Sequence, residues 1–155
     1  MASTRIYIGS DHAGFNLKNK IGRFLKQAGY SVEDMGPYSY NKEDDYPDYA
    51  LKVCRKVLNS KGKGILFCGS GQGMDRAANK IPGIHAAVCW NKASAVVAKE
   101  HGNVNVLCMG ERFVRPQMAE KIVEVWLKNG FSGEERHKRR IEKINNIEKK
   151  FSKRK

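Results

Sequence analysis

Short apolar runs alternate along most of the chain with segments in which apolar residues recur at helical spacing. The runs predict strands and the intervening segments predict amphipathic helices. The predicted strands are 5–9, 31–35, 65–67, 84–89 and 104–109. The predicted helices are 15–28, the segment after Pro47, 74–80, 92–100 and 116–128. Such alternation favours βαβ units, and hence a three-layer αβα, Rossmann-like α/β domain with a five-stranded, mostly parallel sheet.

Two of these helices have a clear apolar face. The residues expected in the core are Leu17, Ile21, Phe24, Leu25 and Ala28 in the first helix and Ala50, Val53, Cys54, Val57 and Leu58 in the helix after Pro47.

A C-terminal amphipathic helix is predicted as well, because Ile141, Ile144, Ile147 and Phe151 are three or four positions apart and charged residues separate them. No strand follows this helix, so it either closes over its own domain or lies across a partner chain. We expect a single domain over 1–151, followed by a basic tail at 152–155.

Composition limits the class of protein. A chain of 155 residues with 41% hydrophobic content has enough apolar material for the core of one domain. No stretch approaches the roughly 18 apolar residues that a membrane span needs, and Arg5 and Asp11 interrupt the N-terminal apolar run. We therefore expect a cytoplasmic protein that has no membrane partner.

The net charge of +13 suggests nucleic acid, but its distribution argues against that partner. Residues 134–155 hold ten Lys or Arg and four Glu, which places +6 of the +13 in the last 22 residues. Elsewhere basic and acidic residues are mixed, and the chain contains no zinc-finger or RNA-recognition signature.

Four cysteines are present, and only one falls in a predicted loop. They form no CxxC pair and lie near no histidine cluster, so no metal site is expected. Cys54, Cys89 and Cys108 lie within apolar patterns, where cysteine usually serves as a small core residue. Cys68 is therefore the thiol that is placed for chemistry.

Cys68 begins the glycine-rich loop Cys-Gly-Ser-Gly-Gln-Gly at 68–73, between a predicted strand and a predicted helix. Such a loop exposes backbone amides that suit a phosphate or an oxyanion, and Ser70 adds a hydroxyl. The glycine pattern by itself fits a tight turn around a buried cysteine equally well.

Polar side chains follow three predicted strands. Asp11 and His12 follow the first strand, the loop with Cys68 and Ser70 follows the third, and Arg112 follows the fifth. Because ligands of open α/β sheets bind at the carboxyl ends of the strands, these groups predict one site. Taken singly, Asp11 could cap a helix, His12 could be a solvated loop residue and Arg112 could pair with a surface carboxylate.

Two nucleotide-binding motifs are excluded. Met74 stands where the third glycine of a dinucleotide loop would be, and no Gly-Lys-Ser/Thr of a nucleotide-hydrolysing P-loop is present.

The chain resembles ribose-5-phosphate isomerase type B over residues 5 to about 150. The galactose-6-phosphate isomerase subunits of the wider family are similar too. The segments that carry the resemblance are 9–15 (GSDHAGF), 45–50 (DYPDYA), 68–71 (CGSG), 77–80 (AANK), His101, 105–107 (NVL), Arg136-His137 and Arg140-Ile141.

The resemblance implies an aldose–ketose isomerase that interconverts ribose 5-phosphate and ribulose 5-phosphate through an enediolate. It implies Cys68 as the base, Ser70 as its assistant and His101 as the residue that opens the sugar ring. The substrate-binding positions that it implies are Asp11, His12, Gly69, Gly71, Gln72, Gly73, Gly102, Arg112, Arg136 and Arg140. It also implies no cofactor, no metal, a small phosphosugar as substrate, and a homodimer with composite sites, with a dimer of dimers as a further alternative.

The sequence departs from the family pattern at three positions. Gly102 replaces an Asn that commonly follows the histidine, and Asp75 and Arg76 replace small or apolar residues. One branch of the family uses a Glu at the position of Met74 as base, which this chain lacks; Asp75, one residue further on, is expected to face another way.

Two other functions remain open. The missing side chain at Gly102 keeps a six-carbon phosphosugar, such as allose or galactose 6-phosphate, as an alternative substrate. An alternative of a different class is a non-catalytic module that binds a phosphosugar or nucleic acid.

Overall fold

A five-stranded sheet lies at the centre of the computed structural model, which describes residues 4–152. Its strands are β1 (Ile6–Ser10), β2 (Val32–Asp34), β3 (Lys63–Cys68), β4 (Ala86–Val88) and β5 (Val106–Gly110). Their order is β2-β1-β3-β5-β4, and every neighbouring pair is parallel. All five predicted strands are present, with β4 shorter than expected.

Six α-helices surround the sheet within the described residues. They are α1 (Phe15–Gln27), α2 (Tyr46–Ser60), α3 (Gln72–Ala78), α4 (Lys92–Glu100), α5 (Pro116–Lys128) and α6 (Glu135–Ser152), and a 3-10 helix at His12–Gly14 precedes α1. Helix α2 begins one residue before Pro47, since proline is tolerated in a first helical turn. Helix α3 begins inside the glycine-rich loop, two residues earlier than predicted.

Two apolar clusters hold the helices on opposite faces of the sheet. On one face, α1, α4 and α5 pack against side chains such as Ile8, Ile65 and Leu107. On the other, α2 and α3 pack against Leu66 and Cys108. The predicted three-layer αβα, Rossmann-like architecture is therefore confirmed.

Two residues predicted in the core are exposed instead. Ala28 is the C-cap of α1, beyond the last turn that packs on the sheet. Leu58 lies at the border of the buried stripe of α2 and is 39% exposed, whereas Val57 beside it is buried. The helical pattern locates the stripe but not its lateral limits.

Helix α6 is the predicted C-terminal amphipathic helix, and it does not bury its apolar side chains in its own domain. Ile144, Ile147 and Phe151 are each more than half exposed. The helix is tied to the rest of the chain near its end, where the Gly83 amide donates to Glu148. Of the predicted basic tail, Ser152 closes α6 and residues 153–155 lie outside the described part of the chain.

No helix among residues 4–152 combines the length and the apolar character needed to cross a membrane.

A fully buried lysine braces the loop after β2. The Lys18 ammonium, on α1, lies 2.9 Å from both carboxylate oxygens of Asp34 and 2.6 Å from the carbonyl oxygen of Pro37. A buried charge is tolerated only when such partners surround it. Lys18 thereby fixes the beginning of the long 35–45 segment that leads towards the site.

Replacing Lys18 with Met should destabilise the protein, because the Asp34 carboxylate would lose its ion-pair partner. We expect the free energy of unfolding in urea to fall by about 3 kcal/mol. Lys26→Met, at an exposed lysine of the same helix, is the matched control and should change it by less than about 0.5 kcal/mol. Equal, small effects of the two substitutions would contradict this role.

Candidate active site

The loops after β1, β3 and β5 are hydrogen-bonded to one another at the carboxyl edge of the sheet. The Asp11 amide donates to the Phe67 carbonyl (3.3 Å), and the Glu111 and Arg112 amides donate to the carbonyls of Cys68 (2.9 Å) and Gly69 (3.1 Å). The chain leaves β1 for β2 on one side and crosses to β3 on the other, so this edge is a topological switch point of the sheet.

The Cys68 thiol lies at the end of β3 and is 4% exposed. Its sulfur accepts a hydrogen bond from the Gly71 amide at 3.1 Å. This turn requires a positive φ of 81° at Gly71, a conformation that side chains disfavour. The Gln72 amide donates to the Ser70 hydroxyl at 3.3 Å, so the loop orders both the thiol and the hydroxyl.

The other three cysteines are buried in the core, as predicted. Burial raises the pKa of Cys54 to about 12 and that of Cys89 to about 11, and it raises the pKa of Cys108 as well. These thiols therefore stay protonated at neutral pH.

Arg112 brings a permanent positive charge to the loop. A Cβ atom placed on Gly69 would come within 2.9 Å of the Arg112 guanidinium carbon, so only glycine allows this approach. The charge of Arg112 also acts on His12, where it opposes protonation of the ring. Arg112 and His12 thus lie near enough for their charges to interact.

His12 is paired with Asp44, a residue of the long loop before α2. The Asp44 carboxylate accepts from the His12 amide at 2.9 Å and contacts ring Nδ1 at 2.7 Å. This hydrogen bond is the main cause that raises the pKa of His12 above its usual value. The imidazole therefore keeps its positive charge to higher pH.

Asp11 has the capping role that its position before a helix suggested. Its carboxylate accepts from the Gly14 amide and caps the short helix at His12–Gly14. It is also 6% exposed, and burial raises its pKa.

Asp11, His12 and Asp44 form the one group of potential metal ligands among residues 4–152, with ligand atoms within 4.8 Å of one another. Mixed imidazole and carboxylate sets do bind divalent cations. Here His12 Nδ1 is bonded to one Asp44 oxygen, and one Asp11 oxygen accepts from the Gly14 amide. That the protein works without a metal stays a prediction.

A cleft of about 490 Å³ opens beside this loop. It is lined by Ser70, Gln72, Val88, Trp90 and Phe113. Its apolar side chains belong to the β4 end and the β5 loop, and Trp90 and Phe113 are largely exposed.

The remaining predicted residues lie at the opposite edge of the sheet. His101 follows α4, which runs back towards the strand starts, and only four residues separate it from β5. The Ser132 amide, just before α6, donates to the Glu100 carbonyl and brings the beginning of α6 to the same edge. His101, Gly102, Arg136 and Arg140 are therefore separated from Cys68 by the length of β3, about 16 Å at about 3.3 Å per residue.

Sequence reasoning missed three polar contacts at these two edges. Asp44 pairs with His12 across 32 residues of sequence, and Glu111 accepts from the Leu17 amide in the first turn of α1. At the far edge, the His137 ring stacks on His101. Each contact joins segments that are distant in the sequence, so local patterns do not predict the partners. The DHAG motif at 11–14 was the one local signal, and it marked His12 but not Asp44. The Asp75 carboxylate accepts a hydrogen bond from the Asn79 side chain.

The chain has close relatives among proteins of known structure. A family model described as Ribose/Galactose Isomerase matches residues 6–144. The ribose-5-phosphate isomerase B of Clostridium thermocellum is 49% identical, with a TM-score of 0.91, and the match covers 95% of this chain and 99% of that one. The Mycoplasma genitalium protein named probable ribose-5-phosphate isomerase B is 45% identical over 149 residues, 95% of this chain and 97% of that protein. A structure of the M. genitalium isomerase with bound ribulose 5-phosphate is 44% identical, with a TM-score of 0.91, and covers 96% of this chain and 99% of that one.

The fold and the site define a doubly wound α/β enzyme with a thiol, a histidine and an arginine at the switch point of its sheet. The chain belongs to the ribose/galactose isomerase family, in which these relatives are type B ribose-5-phosphate isomerases. The family predicted from the sequence is confirmed, and so is the prediction of an isomerase.

Asp44→Asn should lower the pKa of His12, because the neutral amide no longer favours the imidazolium. NMR titration of the four histidines should show the His12 midpoint above about 6.5, the usual value for histidine, in the parent and lower in the variant. A raised pKa means that this pair stabilises the fold below about pH 6.5, and that its contribution is lost as pH rises through the folded-state pKa. Asp48→Asn, in the first turn of α2, is the control and should leave His12 unchanged.

Proposed function

We propose that this protein interconverts ribose 5-phosphate and ribulose 5-phosphate through a cis-enediolate, with Cys68 as the base. The observation that carries the proposal is the Cys68 thiol, held by the Gly71 amide in a glycine-rich turn at the switch point of the sheet. The names of the relatives support this substrate, as does the ribulose 5-phosphate bound in the M. genitalium isomerase.

The proposed reaction moves one proton between two carbons. The Cys68 thiolate takes the proton from C2 of the open-chain aldose, and the C–H electrons form a C1–C2 double bond while O1 becomes an oxyanion. The O2–H proton then moves to O1, the electrons of that O–H bond form the ketone at C2, and the Cys68 thiol returns its proton to C1 as the C1–C2 double bond becomes single. Ser70 assists Cys68 in these proton transfers.

Backbone amides are the groups proposed to bind the oxyanion. The Gly71 and Gln72 amides are engaged with Cys68 and Ser70 inside the loop. Gly73 lies in the first turn of α3, where amides have no partner within the helix, and Gly69 in the loop before it adds a further amide. Fixed donors of this kind are a major source of stabilisation for an enediolate.

The substrate phosphate is proposed to bind charged groups from two chains. His12 and Arg112 both belong to loops at the carboxyl edge of one chain. Arg136 and Arg140 are exposed one helical turn apart on α6, at the opposite edge. Because the length of β3 separates the two pairs, a single chain cannot bring them to one ligand, whereas a second copy can.

The proposed dimer therefore has two composite sites. Each contains Cys68, Ser70, Asp11, His12 and Arg112 from one subunit and His101, Gly102, Arg136 and Arg140 from the other. The exposed apolar side chains Ile144, Ile147 and Phe151 support the use of α6 as a contact with the partner. A dimer of dimers is compatible with this arrangement and is not required by it.

A six-carbon phosphosugar is the second candidate substrate. Gly102 has no side chain to narrow the site, and the cleft beside Ser70 offers additional volume. A coupled isomerisation assay with ribose 5-phosphate, allose 6-phosphate and galactose 6-phosphate decides between them. We expect the highest kcat/KM with ribose 5-phosphate.

The alternative of a different class, a binding module without catalysis, predicts no turnover of any of these sugars. The charged residues of α6 would then serve a polyanion, and affinity for nucleic acid would fall steeply with salt. We expect turnover and place no nucleic acid among the partners, and the location in the cytoplasm stays a prediction.

Cys68→Ser should preserve the fold and lower kcat by at least about a hundredfold, because the hydroxyl is a far weaker base than the thiolate. Cys89→Ala is the matched control, since Cys89 is buried outside the glycine-rich loop, and its kcat should stay within about twofold. Near-normal turnover of Cys68→Ser would remove this thiol from the mechanism.

Two inactive variants should complement each other if the site is composite. Cys68→Ser and Arg136→Ala are each expected to be nearly inactive, but a mixed dimer contains one site free of both substitutions. Refolding the two chains together in equal amounts should restore about a quarter of the parent activity, because half of the dimers are mixed and each has one sound site of two. No recovery, with mixed dimers shown by mass spectrometry, would place the whole site within one chain.

A further inference from the structure

The ring of His101 is stacked on a second histidine. The imidazole centroids of His101 and His137 are 4.1 Å apart and their planes are inclined by 28°. His101 is exposed at the end of α4, whereas His137, in the first turn of α6, is 3% exposed. The buried ring thus forms a platform for the exposed one.

His137 is itself anchored by Ser132. Its Nδ1 lies 2.7 Å from the Ser132 hydroxyl oxygen, which also accepts from the Glu134 amide at 3.3 Å. The Ser132 amide donates to the carbonyl of Glu100, the residue before His101. The end of α4 and the beginning of α6 are therefore joined by hydrogen bonds. These bonds fix the position of the His137 ring against the His101 ring.

The surroundings of His137 disfavour a charge on its ring. Burial is the first cause that lowers its pKa, and the charges of His101, Arg136 and Arg140 act in the same direction. Glu134 opposes them. These are the charged groups that face the ring from α4, from α6 and from the segment before α6.

We propose that His137 is a positioning residue for ring opening, which holds the His101 imidazole in a single orientation. It also allows only one of the two stacked rings to become an imidazolium at a time. The inference rests on the proposed role of His101. A neutral platform lets His101 gain a proton from the sugar hydroxyl and lose it to the ring oxygen without a second imidazolium against its face. The flat contact also prevents the exposed ring from sampling other rotamers.

NMR titration tests the electrostatic half of the proposal independently of catalysis. In the parent, His137 should titrate below about 6.5, the usual value for histidine. In His101→Gln its midpoint should rise, because the charge of the neighbouring ring is gone. A His137 midpoint that does not respond to His101→Gln would overturn the shared-proton part of the proposal.

Two kinetic readouts test the positioning half. Isomerisation of ribose 5-phosphate, which is mostly cyclic, requires ring opening. Exchange of the C1 proton of ribulose 5-phosphate with solvent deuterium does not, because the phosphate on O5 prevents this ketose from closing a five-membered ring. His137→Leu should lower kcat for ribose 5-phosphate about tenfold and leave the exchange rate within about twofold.

Companion variants separate positioning from folding. His137→Phe restores a flat ring and should recover most of the lost isomerisation, whereas Ser132→Ala should give an intermediate loss. Lys138→Leu, at the exposed neighbour on α6, should change neither rate. Equal losses of isomerisation and exchange in His137→Leu would mean that His137 only supports the fold. A parent protein without isomerisation or exchange would instead refute the proposed function.

Discussion

The hydrogen bonds that continue the β1–β3–β5 pairing beyond the strand ends determine where the chemistry can occur. They join the amides of Asp11, Glu111 and Arg112 to carbonyls at the end of β3 and just beyond it. Because the strands are parallel and in register, with Ser10 beside Phe67 and Cys68 beside Gly110, all three loops begin at one level. The apolar clusters on both faces keep that level fixed, so the sheet sets where the loops begin, and hydrogen bonds within and between the loops then orient the thiol and the His12 ring.

The two ends of the sheet carry different chemistry. The carboxyl edge holds a thiol with a hydrogen-bonded sulfur and a charged pair, His12 and Asp44. The opposite edge holds stacked imidazoles and the arginines of α6. In the proposed mechanism, the group for proton transfer at carbon therefore comes from one edge of the sheet, and the group for proton transfer at oxygen comes from the other.

Local pattern was sufficient for most of the fold and insufficient for the connections within the site. Four of the five strands were predicted because they are apolar runs that alternate with helical patterns, whereas 31–35 has a weaker pattern with two acidic residues. Leu58 and Ala28 were placed wrongly because periodicity does not show where a buried stripe ends. The partner of His12 was not predictable, since Asp44 lies in a polar loop of no regular pattern. The edge to which His101 belongs follows from the direction of α4, but its contact with His137 required the path of the chain into α6.

If each active site is shared between two subunits, catalytic activity requires assembly of the dimer. In the proposed dimer, each subunit contributes the carboxyl edge of its sheet, with Cys68, to one site and the opposite edge, with His101 and Arg136, to the other site. In a free subunit these two edges lie at opposite ends of the sheet, and neither can act on a sugar alone. Specific activity should then decline when the protein is diluted to concentrations near the dissociation constant of the dimer. Substrate binds to both chains and should therefore oppose that decline by mass action. The abundance of the protein in the cell would therefore set not only how many sites exist but also what fraction of them is complete.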